Sequence, residues 1–71
     1  MNRQGAYTEM QRGKKITHRF FSADEFYYLP GFPETERIIA EDGVDHTEIF
    51  WSTTENDFRR DGWDIFKKDQ S

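Results

Sequence analysis

The stretch between Trp51 and Trp63 holds the densest set of ligand-binding groups in this 71-residue chain. Its polar run, Ser52-Thr53-Thr54-Glu55-Asn56-Asp57, supplies hydroxyl, amide and carboxylate groups. Thr54 and Asp57 stand at capping-box spacing, which starts a short helix, and the N–H groups of a helix start favour anions. A cap and a ligand site are compatible, since a cap can face a pocket. Aromatic faces stack on flat bases for roughly 1–3 kcal/mol each, and Lys or Arg neutralises phosphate. This is the chemistry of binding a flat, anionic, hydroxyl-bearing molecule.

Other chemistries lack their residues. His18 and His46 are the two histidines, without an HExxH pair and without any cysteine, so a zinc site has too few nitrogen or sulfur ligands. Both are expected on the surface or on a strand face. Glu41, Asp42 and Asp45 do not reproduce the ligand spacing of a calcium loop. Neither GxxxxGK[ST] nor GxGxxG occurs. Ser22, Ser52, Thr53 and Thr54 have no evident His–acid partner, and so small a domain rarely encloses a water-excluding site. The expectation is a protein that binds without catalysing, and with no cofactor.

Composition narrows the setting. Aromatics supply half the apolar residues, with seven Phe, three Tyr and two Trp, while the aliphatic side is thin. A small core barely offsets the entropy of ordering the chain, and with no cysteine there are no disulfides to help. Oligomerisation or a bound ligand is the favoured remedy. No apolar run approaches membrane-spanning length, and the start of the chain lacks the apolar segment of a signal peptide, so a cytoplasmic protein is expected. Net charge is −4. Residues 1–19 carry +4, residues 20–57 carry −9 with Arg37 their single base, and residues 58–71 carry +1. A duplex DNA or RNA binder of this size is usually basic, so neither is an expected partner. Unlike-charged segments can pair across the fold, and a local basic cluster can still hold a compact anion.

The elements that must position these residues read as one α+β domain over 1–71. Asn2 caps a helix to about Arg12, with Ala6, Tyr7 and Met10 on one face and Gly13 ending it. Lys15 to Arg19 alternates as a strand. The capping-box pattern Ser22-Ala23-Asp24-Glu25 becomes a tight loop before a strand at about 26–29, and 29–33 is a loop. Further strands are expected at 37–40, 47–51 and 63–67, with a turn at 41–43, a helical turn over 54–60 and a break at Gly62. The result is a short N-terminal helix on an antiparallel sheet of four to five strands. Aromatics fall on both faces of that sheet, so a second subunit is the economical cover.

Two stretches resemble a known family. Gly13-Lys14-Lys15-Ile16, after an amphipathic helix and before Phe21, resembles the GKKV-x-R-x-G-W opening of a family of small phage proteins. Trp51 to Asp57, followed by Asp61-Gly62-Trp63, resembles that family's closing W-x-P-S-x-x-D … D-W segment. The family is the second type of Thoeris anti-defence protein. Its members are sponges of helix-plus-antiparallel-sheet fold that assemble as homotetramers. They sequester signalling cyclic nucleotides, of glycocyclic ADP-ribose type and, for some, cyclic dinucleotides.

The resemblance covers about half the chain and departs at Phe20-Phe21 for Gly-Trp, at His18 for Arg and at Ser52-Thr53 for Pro-Ser. It implies that Phe21 and Trp51 stand for the two tryptophans. Thr53, Thr54 and Asp57 then match the polar turn, and Asp61 with Trp63 the closing pair. On chemical grounds, Phe21 or Trp51 would stack the base, and Arg19, Lys14 or Arg59 would meet phosphates. Thr53, Thr54 and Asp57 would bind ribose hydroxyls at a site shared between subunits, in a dimer or tetramer. The implied setting is the cytoplasm of an infected bacterium. The alternative is a small acidic phage protein, anti-CRISPR-like, whose −9 segment binds a basic surface of a host protein.

Overall fold

Asn2 starts the first helix as its side chain dictates: the Oδ1 atom accepts the Gly5 N–H at 2.8 Å, one of the donors a helix start leaves unpaired. The helix, α1 (Arg3–Gln11), buries Ala6, Tyr7 and Met10. Gly13, at φ 91°, closes it: its N–H donates to the Met10 carbonyl and the Lys14 N–H to the Glu9 carbonyl, a Schellman ending. This computed structural model describes residues 1–52 and 60–67.

Four short strands follow: β1 (Ile16–His18), β2 (Tyr27–Tyr28), β3 (Ile39–Ala40) and β4 (Trp63–Ile65). They form one antiparallel sheet in the order β3-β2-β1-β4. The last strand lies beside the first, with Ile16 opposite Ile65 and His18 opposite Trp63. Side chains alternate along β1, so Ile16 and His18 point inward and Thr17 outward. The inner face of the sheet packs under α1, and the core comprises Ala6, Tyr7, Met10, Ile16, Tyr27, Ile38, Ala40, Phe50 and Trp63. Half of its bulk is aromatic, as the composition requires. Trp63 sits at the centre of the ring cluster, with centroids 4.7 Å from His18, 5.0 Å from Phe50 and 5.8 Å from Tyr27.

The strand expected at 47–51 is instead a short helix, α2 (Thr47–Trp51). The reason lies just upstream. Asp45 Oδ1 accepts both the Thr47 N–H (2.9 Å) and the Thr47 hydroxyl (2.7 Å), bending the chain. Ile38 then finds its partners in this bend: its N–H donates to Thr47 Oγ1 and its carbonyl accepts the His46 N–H. The backbone bonds that a paired strand would offer are thus already made. Helical spacing turns Phe50 fully inward, where a strand would have sent Phe50 and Trp51 to opposite faces. Arg3 secures the far end, donating from Nε to the Phe50 carbonyl and from its guanidinium to the Ser52 carbonyl. The helical turn expected over 54–60 falls, apart from Arg60, outside the described residues.

A candidate ligand cleft beside His18

The connection between β1 and β2 is built by short-range hydrogen bonds. The Phe21 N–H donates to the His18 carbonyl at 2.9 Å, reversing the chain. Ser22 and Glu25 then bond reciprocally: the Ser22 N–H donates to Glu25 Oε1 (2.7 Å) and the Glu25 N–H to the Ser22 carbonyl (3.1 Å). The capping-box residues therefore close a tight loop on themselves. Thr17 pins it from below, its hydroxyl donating to the Glu25 carbonyl.

This loop is one wall of a cleft of about 450 Å³, a volume suited to a small ligand. Thr17, His18 and Phe21 form its floor, Ser22 and Asp24 its loop side, and Phe66 and Lys67, just past β4, the opposite side. A ring, a hydroxyl, a carboxylate and an ammonium thus converge on one open space. Phe21 is half-buried, its inner edge held by Tyr27 (5.2 Å) and Trp63 (5.7 Å).

His18, expected on the surface or on a strand face, lies on the inner strand face and is only 2 % exposed. Its ring accepts the Phe20 N–H at Nδ1 (3.1 Å), which places the proton of the neutral ring on Nε2, 2.7 Å from the Asp61 carbonyl that it donates to. Both nitrogens are therefore engaged in joining the β1–β2 loop to the segment before β4. Gly62 makes the close approach possible. It stands at φ 93°, and a Cβ there would lie 3.0 Å from both His18 Nε2 and Arg19 Nε.

Four of the residues expected at a site gather around His18. Phe21 lines the cleft; Asp61 holds His18 through its carbonyl; Arg19 packs over Gly62 and donates its N–H to the Gly62 carbonyl. Trp63 is the fourth, but at 2 % exposure its indole belongs to the core beneath the cleft rather than to an open stacking surface. Two others lie elsewhere. Lys14 precedes β1, at the end away from His18, while Trp51 rests on Tyr7 of α1 at 5.1 Å. Burial, with a hydrogen bond to Glu36, raises the Tyr7 phenol above its usual 10.0, so it stays protonated at that contact. Thr53, Thr54, Asp57 and Arg59 lie outside the described residues.

Sequence reasoning did not single out Thr17, Asp24, Phe66 or Lys67 for this site. The Ser22–Glu25 capping-box spacing was the one local signal for its loop; Phe66 and Lys67 arrive only through the pairing of β1 with β4.

A second hollow, about 300 Å³, is lined by Arg37, Asp45, Glu48 and Ile49. The hydrogen bonds from Thr47, helped by Arg37 at 2.8 Å, hold the Asp45 carboxyl down at about 2. It is a fixed anion that shapes α2 and a poor proton carrier. Among the described residues no group of three His, Asp or Glu is placed to hold a metal ion, and no helix is long and apolar enough to cross a membrane. Compared with models of protein families, with curated proteins and with solved structures, the chain finds no match.

Proposed function

We propose that this chain is a phage-encoded sponge that captures a signalling cyclic nucleotide, of the glycocyclic ADP-ribose type or a cyclic dinucleotide, and holds it uncleaved. The observation that carries the reading is the cleft, where Phe21 and Phe66 offer ring surface and Lys67 a cation within one space of about 450 Å³. A base stacks on a ring, a phosphate meets Lys67 with Arg19 nearby, and Ser22 and Asp24 receive ribose hydroxyls. His18 is not offered as a general base, because both its nitrogens are engaged within the fold. The cleft is open on one side, so a second copy of the chain completes it, in the cytoplasm of the infected cell. Tight binding by so small a protomer needs burial between two chains.

The test mixes protein with glycocyclic ADP-ribose or a cyclic dinucleotide, removes the protein by filtration, and measures what remains free. Depletion, followed by recovery of intact ligand after heat denaturation, is the expected result. Recovery of a hydrolysed product makes the protein an enzyme and ends the sponge reading.

One observation favours the second reading, an inhibitor of a host protein. Glu34, Glu36, Glu41, Asp42, Asp45 and Glu48 are all exposed, and Arg37 among them is tied to Asp45. Such a surface suits a basic protein partner. A thermal-shift series separates the two: cyclic nucleotides raise the Tm of a sponge and leave that of a protein inhibitor unchanged.

A further inference from the structure

His18 is buried where the two walls of the cleft meet, and its two nitrogens bond to different segments. Nδ1 accepts the Phe20 N–H at 3.1 Å, at the start of the loop that carries Phe21, Ser22 and Asp24. Nε2 donates to the Asp61 carbonyl at 2.7 Å, just before β4, which leads on to Phe66 and Lys67. One neutral ring thus ties the loop wall to the segment that feeds the opposite wall. Phe20 itself is 65 % exposed, so little packing holds its backbone apart from this bond.

The two bonds respond differently to a proton. A charged imidazole carries an N–H on both nitrogens and accepts at neither, so a charged His18 turns a donor toward the Phe20 N–H. The bond to Asp61 survives that change, and the bond from Phe20 does not. Around the ring, among the described residues, stand two cations, Arg19 and Lys67, and two carboxylates, Asp24 and Asp61. Asp61 Oδ1 accepts the Gly62 N–H, and the Glu25 carboxylate accepts the Ser22 N–H. On the packed side, the Met1 ammonium donates to the carbonyl of Trp63, and His46 pairs with the Tyr27 hydroxyl. Opposite charges balance beside the ring, so the lost acceptor decides.

We propose that His18 is a pH-sensitive latch on the cleft, closed while the ring is neutral and released on the Phe20 side when it is charged. A ligand seated between the loop and Phe66 with Lys67 is held by the closed form and let go by the open one. By linkage, such a ligand also keeps the ring neutral. The latch stands whatever the cleft binds, and its test needs no ligand.

The experiment is NMR on the full chain, titrated from about pH 8 to about pH 5, where histidine changes charge. Ring nitrogen shifts report the protonation of His18, and a His46→Gln variant assigns them. At the upper end they are expected to show the proton on Nε2. As the ring charges, the amides of Phe20 to Ser22 are expected to shift with the ring's own midpoint. Protection of the Phe20 amide from hydrogen exchange falls about tenfold, the loss of one hydrogen bond, while the amides of α1 keep theirs. His18→Gln, whose side-chain amide can still donate to Asp61, loses the response. The proposal is overturned if the ring stays neutral throughout, or charges while these amides stay put. Loop amides that move with a different midpoint overturn it, as does unfolding of the whole chain in the same step. So does a response that persists in folded His18→Gln.

Discussion

The two faces of the sheet use the same kind of residue for different ends. On the inner face Tyr27, Trp63 and, from α2, Phe50 are buried, and the Tyr27 hydroxyl sits 3.1 Å from His46 Nδ1. On the outer face Phe26, Tyr28 and Phe66 keep part of each ring in water, with Lys15 laid over Phe26 and Tyr28. An aromatic ring contributes to stability in proportion to the water it sheds, so the inner rings hold the fold and the outer ones do not. The lesson is that aromatic content is a poor guide to core size. A chain can be rich in rings and still keep several of them out of its core.

The largest expected effect tests that division directly. Phe50→Ala or Trp63→Ala opens a cavity at the centre of the ring cluster and costs about 3–5 kcal/mol, comparable with the whole stability of so small a domain. Both variants are expected to be largely unfolded by circular dichroism. Phe26→Ala is expected to lose clearly less than either in urea denaturation, since the ring is only partly buried. Equal losses on the two faces would abolish the contrast.

A smaller effect is expected where the inner face meets the cleft. Gly62→Ala must adopt φ 93° with a side chain and push a methyl within 3.0 Å of His18 and Arg19. The expected cost is about 1–3 kcal/mol by urea denaturation, with a loosened His18–Asp61 contact. Gly43→Ala shares the positive φ but has nothing within 4 Å, so it reports the backbone part alone. The difference between the two variants is the packing at His18. Asn2→Ala, at the start of α1, follows at about 1 kcal/mol.

How much of this was legible depends on how local the cause is. Asn2 and Gly13 announce α1 because a cap and a left-handed ending are single-residue properties. The alternation of Ile16, Thr17 and His18 announces β1 for the same reason. Thr47 to Trp51 misled because Ile49-Phe50-Trp51 favours a sheet, while the deciding hydrogen bonds come from Asp45, outside the segment. At the site, Phe21 could be found by its type and neighbours. Lys67 and Phe66 could not, since only the pairing of β4 with β1, 47 positions apart at Thr17 and Asp64, carries them to the cleft.

The smallest effect lies on the acidic surface by α2, where the comparison of faces gives way to a single carboxylate. Asp45 is exposed at the surface, yet Thr47 and Arg37 hold it at about 2, below the 3.8 of an unstructured Asp. A depressed carboxyl binds its proton more weakly in the folded chain than in the unfolded one. Its contribution is therefore present above pH 3.8 and is lost as pH falls from there toward 2. Asp45→Asn removes the ionisation but keeps an oxygen for Thr47. The wild type and this variant should differ in Tm at neutral pH and converge as the pH is lowered through that window. If the gap instead persists at pH 2, the carboxylate charge is not what Thr47 and Arg37 stabilise. The bend that makes α2 would then rest on hydrogen-bond geometry alone.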